Sequence, residues 1–149
     1  MSMVKQLAPG LAGLEQLRAL ISSGKRPGIA ASLDFTLSEV GEGTAVFTGT
    51  PGQHAYNPIG MVHGGYAATL LDSACGCAVH TKLSPAQMYT TLELKVAYHK
   101  AITDTTGPLR AEGRVVSFGR RVAFAEAKLI DGAGKLCATA TSTLLIVEE

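Results

Sequence analysis

Charged and aromatic residues are scarce in this sequence, and tryptophan is absent. Charged side chains make up 17% of the 149 residues and aromatic ones 5%, and the formal net charge is only +1. Nucleic-acid-binding proteins usually carry a basic face or a zinc-finger spacing, and neither pattern occurs here, so we expect no nucleic-acid partner. So little charge also favours a surface that is partly covered by another copy of the chain.

Cysteines and long apolar runs are scarce too. The three cysteines, Cys75, Cys77 and Cys137, form no C-x-x-C pair, so their number and spacing predict neither a disulfide framework nor a metal site. We expect three reduced thiols.

No stretch approaches the ~20 apolar residues of a membrane span, and the first residues lack the apolar core of a secretory signal. The expectation is a cytoplasmic protein with no membrane partner.

The length and hydrophobic content limit the chain to one domain. A sequence of 149 residues with 46% hydrophobic content suits a single domain over residues 1–149 and leaves no room for two. Apolar residues recur at steps of three and four from Leu11 to Ser23, which predicts a short amphipathic helix. Pro27 and Gly28 stop any continuation, so residues 1–28 are predicted to form an N-terminal helical extension.

Most of the remaining sequence is predicted to form β-strands around one helix. Alternating apolar residues and turn signals predict strands over residues 29–40, 44–50, 88–102, 109–118, 122–130 and 136–147. Between the second and third strands, the Ala-rich segment from Gly64 to about Thr81 is apolar nearly all round, which predicts a buried helix. One long, curved antiparallel sheet wrapped around a central helix is an α+β arrangement, and it matches the hot-dog fold.

The predicted central helix carries two features typical of an acyl-transfer site. Gly64 and Gly65 open the helix, where backbone N–H groups lack intrahelical partners and favour a developing negative charge on a carbonyl oxygen. Asp72 is a carboxylate in a segment that otherwise reads as buried, which suits a general base or a nucleophile. The structural alternatives are glycines that only allow close packing and an Asp that is paired with Arg or bonded to a hydroxyl.

The spacing of these two features predicts a site shared between two chains. Gly64 and Asp72 are eight residues apart, which corresponds to ~12 Å along a helix axis. A carbonyl-polarising donor and a base must both lie within a few ångström of the same carbonyl. We therefore expect Gly64 of one chain to face Asp72 of another, in an antiparallel pair of helices about a two-fold axis.

The four histidines show no metal-ligand spacing. His63 directly precedes the glycines, but the sequence has no G-x-S-x-G elbow, so a Ser-His-Asp triad is not supported. We predict instead that His63 fixes the start of the helix by hydrogen bonding. His54, His80 and His99 are predicted to be ordinary surface or core residues.

Three stretches in order resemble the hot-dog thioesterase superfamily, most closely the branch of the phenylacetate-pathway (PaaI-like) and 4-hydroxybenzoyl-CoA thioesterases. They are Asn57 to Gly76 with H-G-G at 63–65, T-L-E-L-K-V-A-Y at 91–98, and V-S-F-G-R-R-V-A-F-A-E at 116–126. The likeness covers roughly residues 29 to 147. It implies a thioesterase acting on an aryl-CoA or a medium-chain acyl-CoA, without a further cofactor, because coenzyme A is part of the substrate.

The resemblance also implies roles for individual residues. The Gly64 N–H would polarise the thioester carbonyl, Asp72 would be the nucleophile or base, and Asn57 would orient water or the thioester. Thr91 would hold the water or support the carboxylate. A larger set would lie near the substrate and the coenzyme A phosphates, which suit guanidinium groups: Gly65, Ser117, Phe118, Gly119, Arg120 and Arg121.

The sequence departs from the family pattern at one place. Where the family often has an aromatic, an aliphatic, a basic residue and Pro, this chain has Tyr98, His99, Lys100 and Ala101.

Two other functions remain open on the sequence alone. A hot-dog dehydratase or hydratase would use His63 and Asp72 together, and a non-catalytic acyl-CoA-binding module would use neither. The sequence favours the thioesterase, as a dimer or a dimer of dimers, since either assembly would complete the shared sites.

Overall fold

A computed structural model describes residues 2–149, which form four α-helices and a six-stranded sheet. The helices are α1 (Met3–Leu7), α2 (Gly13–Ser23), α3 (Gly28–Leu33) and α4 (Gly64–His80), and a 3-10 turn spans Gln53–Ala55. The strands are β1 (Phe35–Gly41), β2 (Thr44–Gly49), β3 (Gln87–Tyr98), β4 (Leu109–Phe118), β5 (Val122–Asp131) and β6 (Leu136–Glu148). In this part of the chain, no helix is long and apolar enough to cross a membrane.

The sheet is antiparallel throughout, and the long strand β3 lies at one of its edges. The strand order is β1-β2-β4-β5-β6-β3, so β1 and β3 are the two edge strands. Helix α4 packs across one face against all the strands. The α+β hot-dog arrangement predicted from the sequence is confirmed. The outer edge of the 12-residue strand β3 has no strand neighbour among the described residues.

Small residues allow α4 to lie directly on the sheet. Six of its side chains are completely buried: Leu70, Leu71, Ala74, Cys75, Ala78 and Val79. On β4, a Cβ added to Gly113 would lie only 2.3 Å from the Ala74 carbonyl oxygen, so a side chain at this position would force the two elements apart. Burial of this helix also raises the pKa of the Cys75 and Cys77 thiols to about 12, which keeps them protonated. Both cysteines and Cys137 are free of disulfides.

The first predicted strand is wrong over its first half. Residues Gly28–Leu33 form helix α3, and β1 begins only at Phe35. Pro27 stands immediately before this helix, a position where its fixed φ is compatible with a helix start. Asp34 ends α3 in a left-handed conformation (φ 58°) and is held there by an ion pair of 2.8 Å with Arg26. The alternating apolar residues from position 29 therefore correspond to a strand only from Phe35 onward.

Other element boundaries differ by a few residues. The predicted strand over 88–102 ends at Tyr98, because the backbone N–H groups of His99 and Lys100 both donate to the Cys137 carbonyl and the ladder stops. The predicted N-terminal helix is confirmed as α2, although it begins at Gly13. Helix α1 was not predicted, because five residues carry too little periodicity to reveal it.

Helix α2 packs on the C-terminal end of α4, and α1 packs on α2. The Gly13 N–H donates to the Leu83 carbonyl at 3.0 Å, and Lys5 pairs with Glu149 at 2.6 Å. The buried Gln16 side chain donates to the Leu11 carbonyl and contacts His80 Nε2 at 2.8 Å. Since the Gln16 amide nitrogen is already bonded, its oxygen accepts from His80, which fixes the neutral imidazole with the proton on Nε2.

This half-buried histidine predicts a loss of stability in mild acid. Burial, with Lys5 nearby, lowers the pKa of His80 from 6.5 to about 4. The unfolded chain then binds one more proton than the folded chain between these values, so stability falls as the pH drops from 6.5 towards 4. We expect His80 to account for a loss of about 2 kcal/mol in unfolding free energy between pH 7 and pH 5.

Urea unfolding at the two pH values checks this expectation. The His80→Gln variant should lose that part of the pH dependence, whereas His99→Gln, a change at an exposed histidine, should keep it. An identical pH dependence in wild type and His80→Gln would contradict a neutral, half-buried His80.

Candidate active site

Asp72 lies midway along α4 on the side that the sheet leaves partly uncovered. Its neighbours Leu71 and Ala74 are fully buried, whereas Asp72 itself is half-buried. The Thr91 hydroxyl on β3 donates a hydrogen bond of 3.1 Å to Asp72 Oδ1. Within residues 2–149, no Lys, Arg or His lies within ion-pair distance of Asp72. The alternative of an Arg-paired carboxylate therefore has no support, whereas the alternative of a carboxylate bonded to a hydroxyl matches the contact with Thr91.

The start of α4 leaves one backbone donor unused. His63 is the N-cap residue, and its Nδ1 accepts from the Gly65 N–H at 2.8 Å, while its carbonyl accepts from the Tyr66 N–H at 3.0 Å. The Gly64 N–H has no hydrogen-bond partner among the described residues. The expectation that both glycines present bare N–H groups is thus wrong for Gly65, because the His63 ring occupies its donor.

The predicted role of His63 at the helix start agrees with this geometry. Because Nδ1 accepts a hydrogen bond, the neutral ring carries its proton on Nε2. His63 therefore holds the first turn of α4 in place, next to the free Gly64 N–H.

Asn57 organises the loop that leads into the helix. Its side-chain oxygen accepts hydrogen bonds of 3.1 Å from the backbone N–H groups of both Ile59 and Met61. The Asn57 N–H also donates to the Met61 carbonyl at 2.8 Å, which closes the turn. The carboxamide oxygen is therefore fully used by the loop, and only the NH2 group of Asn57 is free of the turn.

Tyr98 belongs to this group of residues but was not predicted from the sequence. It ends β3, and its hydroxyl donates to the Gly64 carbonyl at 2.7 Å. A Cβ added to Gly64 would lie 3.0 Å from the Tyr98 oxygen and 3.1 Å from the ring carbon that bears it. The sequence marks Tyr98 only as the point where the family pattern breaks, and its contact with α4 depends on tertiary packing.

The segment predicted to contact coenzyme A forms the tip of the β4–β5 hairpin. Phe118 is half-buried. The other four residues of the segment are exposed: Ser117, Gly119, Arg120 and Arg121. The Gly119 N–H donates to the Val122 carbonyl at 2.9 Å and closes the turn. Neither arginine forms an ion pair with another described residue.

A cavity of about 590 Å³ lies beside this hairpin, and its lining includes two basic residues that the sequence did not indicate. Ser117 and Phe118 line it together with Lys82 and Arg114. The Lys82 ammonium lies 5.8 Å from the centroid of the Phe118 ring, within range of a cation–π interaction. Lys82 follows the end of α4, so only the folded chain brings it to the hairpin.

A second cavity lies elsewhere and is lined by none of the predicted site residues. It has a volume of about 630 Å³ and is lined by charged side chains of the outer sheet face, among them Lys95, Glu112 and Lys128. Strand residues alternate between faces, and α4 covers the opposite one. Within residues 2–149, no three His, Cys, Asp or Glu side chains come together as metal ligands would.

Within one chain, the predicted residues fall into three separate groups. Asp72 contacts Thr91, the loop group centres on Gly64, and the hairpin tip stands apart. Eight helical residues, or ~12 Å, separate Gly64 from Asp72. Both nevertheless face the same edge strand, because Thr91 and Tyr98 are both on β3.

The chain matches one family model and resembles proteins of known structure. The model of the family described as the thioesterase superfamily matches residues 59–138, more than half of the chain. A Saccharolobus solfataricus protein named "Putative esterase" is 34% identical over 90 residues, 60% of this chain and 58% of that relative. The chain therefore spans little more than half of that relative's length.

Two solved structures have the same architecture. A thioesterase from Haemophilus influenzae superposes with a TM-score of 0.78 over 91% of this chain and 90% of its own, and its 21% identity shows a shared fold. A phenylacetic acid degradation-related protein from Ralstonia eutropha JMP134 is 27% identical, with a TM-score of 0.76 over 87% of this chain and 97% of its own.

Proposed function

Because the chain belongs to the thioesterase superfamily, we propose that it hydrolyses acyl thioesters of coenzyme A to a free acid and coenzyme A. The observation that carries this proposal is a pair of polar groups on α4, a carboxylate without a cationic partner and a backbone N–H without an acceptor. Asp72 is a half-buried carboxylate that has no cationic partner among the described residues, and the Gly64 N–H is a helix-terminal donor with no acceptor there. Together they supply a base and an oxyanion donor, the two parts that acyl transfer to water requires.

The reaction assigned to these groups is the addition of water to the thioester carbonyl. Asp72 takes a proton from the attacking water, and the oxyanion that forms on the carbonyl oxygen accepts from the Gly64 N–H. Collapse of the tetrahedral intermediate breaks the C–S bond, and the proton held by Asp72 passes to the departing thiolate. In the alternative sequence of steps, Asp72 attacks the carbonyl itself and the C–S bond breaks, which releases the coenzyme A thiolate and leaves a mixed anhydride. Water then hydrolyses the anhydride to the free acid and the Asp72 carboxylate, and the proton released from water neutralises the thiolate.

The two groups meet only if two copies of the chain share a site. The free edge of β3 offers unpaired backbone groups to a second copy. Thr91 and Tyr98 lie on either side of Lys95 in this strand. An antiparallel pairing about an axis near Lys95 places Thr91 of one chain opposite Tyr98 of the other, because the register shift between Thr91 and Glu93 brings both onto the same face. Asp72 then faces the partner subunit's Gly64, and each dimer has two such sites.

Further residues complete the proposed site. His63 and Asn57 shape the loop that holds Gly64, and the free NH2 group of Asn57 is the part that can orient water or the thioester. Arg120 and Arg121 at the hairpin tip suit the phosphates of coenzyme A. The acyl group is proposed to be a small aryl or a medium-chain acyl group, as the resemblance to phenylacetate-pathway enzymes suggests.

Release of free thiol from a panel of acyl-CoAs tests the proposal. The panel contains phenylacetyl-, benzoyl-, hexanoyl- and decanoyl-CoA. Release well above the rate without enzyme from at least one of them is expected, and the best substrate identifies the acyl class. Absence of release from all four would contradict the proposal. Hydration of an enoyl-CoA, or binding without turnover, would then identify a hydratase or a binding module.

The Thr91 hydroxyl predicts a smaller effect on the same reaction. Thr91→Val keeps the shape of the side chain but removes the donor to Asp72 Oδ1. Because a hydrogen bond to a charged group contributes about 1.5 kcal/mol or more, we expect kcat to fall about tenfold or more, with KM little changed. Thr91→Ser keeps the hydroxyl and serves as the matched control. Equal kcat values for the Val and Ser variants would show that the bond has no role in turnover.

A further inference from the structure

We infer that Tyr98 is a positioning residue that aims the Gly64 N–H at the thioester carbonyl, an inference that rests on the proposed thioester hydrolysis. Tyr98 ends the edge strand β3, and its hydroxyl donates to the Gly64 carbonyl at 2.7 Å. This contact crosses from the sheet to the first turn of α4, 34 residues earlier in the chain.

The peptide between Gly64 and Gly65 is held at both of its polar groups. Its carbonyl accepts from Tyr98, and its N–H donates to His63 Nδ1 at 2.8 Å. The preceding peptide is held at its carbonyl by the Tyr66 N–H at 3.0 Å. The remaining polar group of the two peptides is the Gly64 N–H, so its direction is set by three hydrogen bonds made by its neighbours.

Contact between the Tyr98 ring and Gly64 adds a steric restraint. The phenol lies so close that a Cβ at position 64 would be 3.0 Å from its oxygen. A glycine is the residue with the widest range of backbone conformations, so its orientation needs an external support. Tyr98 supplies one through both its ring and its hydroxyl. A misdirected donor would weaken the oxyanion interaction without changing how the ground-state thioester binds.

Edge strand β3 thereby connects both halves of the proposed chemistry. Thr91 donates to the Asp72 carboxylate, and Tyr98 donates to the Gly64 carbonyl, on the same face of one strand. Tyr98 is 55% exposed in the single chain, as expected for a residue that a second copy would cover.

The Tyr98→Phe variant tests the inference because it keeps the ring and removes only the hydroxyl. We expect kcat to fall about tenfold, less than the effect of removing an oxyanion donor outright, with KM within about twofold of wild type. Tyr56→Phe is the matched control: Tyr56 lies in the loop that leads into α4, but its hydroxyl accepts from the Asp104 N–H and forms no hydrogen bond with Gly64 or Asp72 among the described residues. This control should keep the wild-type kcat.

A pair of substrate analogues separates positioning from a general structural role. A coenzyme A trifluoromethyl ketone, which forms a tetrahedral adduct, should bind Tyr98→Phe about tenfold more weakly than wild type. The corresponding thioether, which cannot form an adduct, should bind both proteins equally. Equal weakening of both analogues, or an unchanged kcat in an active enzyme, would overturn the role of Tyr98 alone. A wild-type protein that hydrolyses no thioester would overturn the proposed function and this inference together.

Discussion

Replacing Asp72 with Asn is expected to lower kcat/KM for the best acyl-CoA by about 10³-fold, within the range typical of a lost general base. Asn has the same size and still accepts the Thr91 hydrogen bond through its oxygen. It cannot take a proton from water or attack the carbonyl. The variant should therefore fold and bind substrate normally, and steady-state thiol release should report the loss mainly in kcat.

The neighbouring residue provides the control for this variant. Ser73 follows Asp72 in α4 and is also half-buried, and its hydroxyl donates to the Thr69 carbonyl at 2.7 Å within the helix. Ser73→Ala should keep kcat within about twofold of wild type, since that bond contributes only to the helix. If Asp72→Asn retained wild-type turnover in a folded protein, another group would have to be the base.

Removal of the Gly64 N–H is expected to have the second largest effect. Pro at this position lacks the N–H, and Pro suits the first position of a helix, where no intrahelical bond is lost. The preceding residue, His63, already has the extended backbone that Pro requires of its neighbour (ψ 137°). Loss of an oxyanion donor should lower kcat by about 10²-fold or more.

Gly64→Ala is the matched control because any side chain at this position presses on Tyr98. Both variants add a Cβ about 3.0 Å from the Tyr98 oxygen, so both shift the ring by a few tenths of an ångström. Only the Pro variant also loses the donor. The ratio of the two kcat values therefore reports the replacement of the N–H by the proline ring carbon Cδ, and a ratio near one would exclude the N–H from the reaction.

The sequence predicts the parts of the fold that depend on periodicity. The Ala-rich helix over residues 64–81 agrees with α4 to within one residue, because its apolar pattern is long and uninterrupted. The order of strands after it is also correct. The strand predicted from residue 29 failed because a short helix ending at the left-handed Asp34 has the same apolar alternation. Local patterns of six residues do not distinguish these two structures.

Within the site, the sequence indicates single residues better than their contacts. Asp72 stands out because a carboxylate is unusual in an apolar helix. The contacts made by Tyr98 and Lys82 have no local signal, since each joins elements far apart in the chain. The sequence predicted that His63 fixes the helix start but not that its ring accepts from the Gly65 N–H, because the direction of the ring depends on the backbone conformation of His63.

A mixture of two inactive chains tests the shared site most directly. Asp72→Asn and Gly64→Pro chains are purified separately, mixed in equal amounts and allowed to exchange, with exchange verified by two tags of different mass. A mixed dimer contains one site with intact Asp72 and Gly64 and one site with neither. Random exchange makes half of the dimers mixed, so thiol release should return to about a quarter of the wild-type rate. No recovery after verified exchange would contradict a site built from two chains.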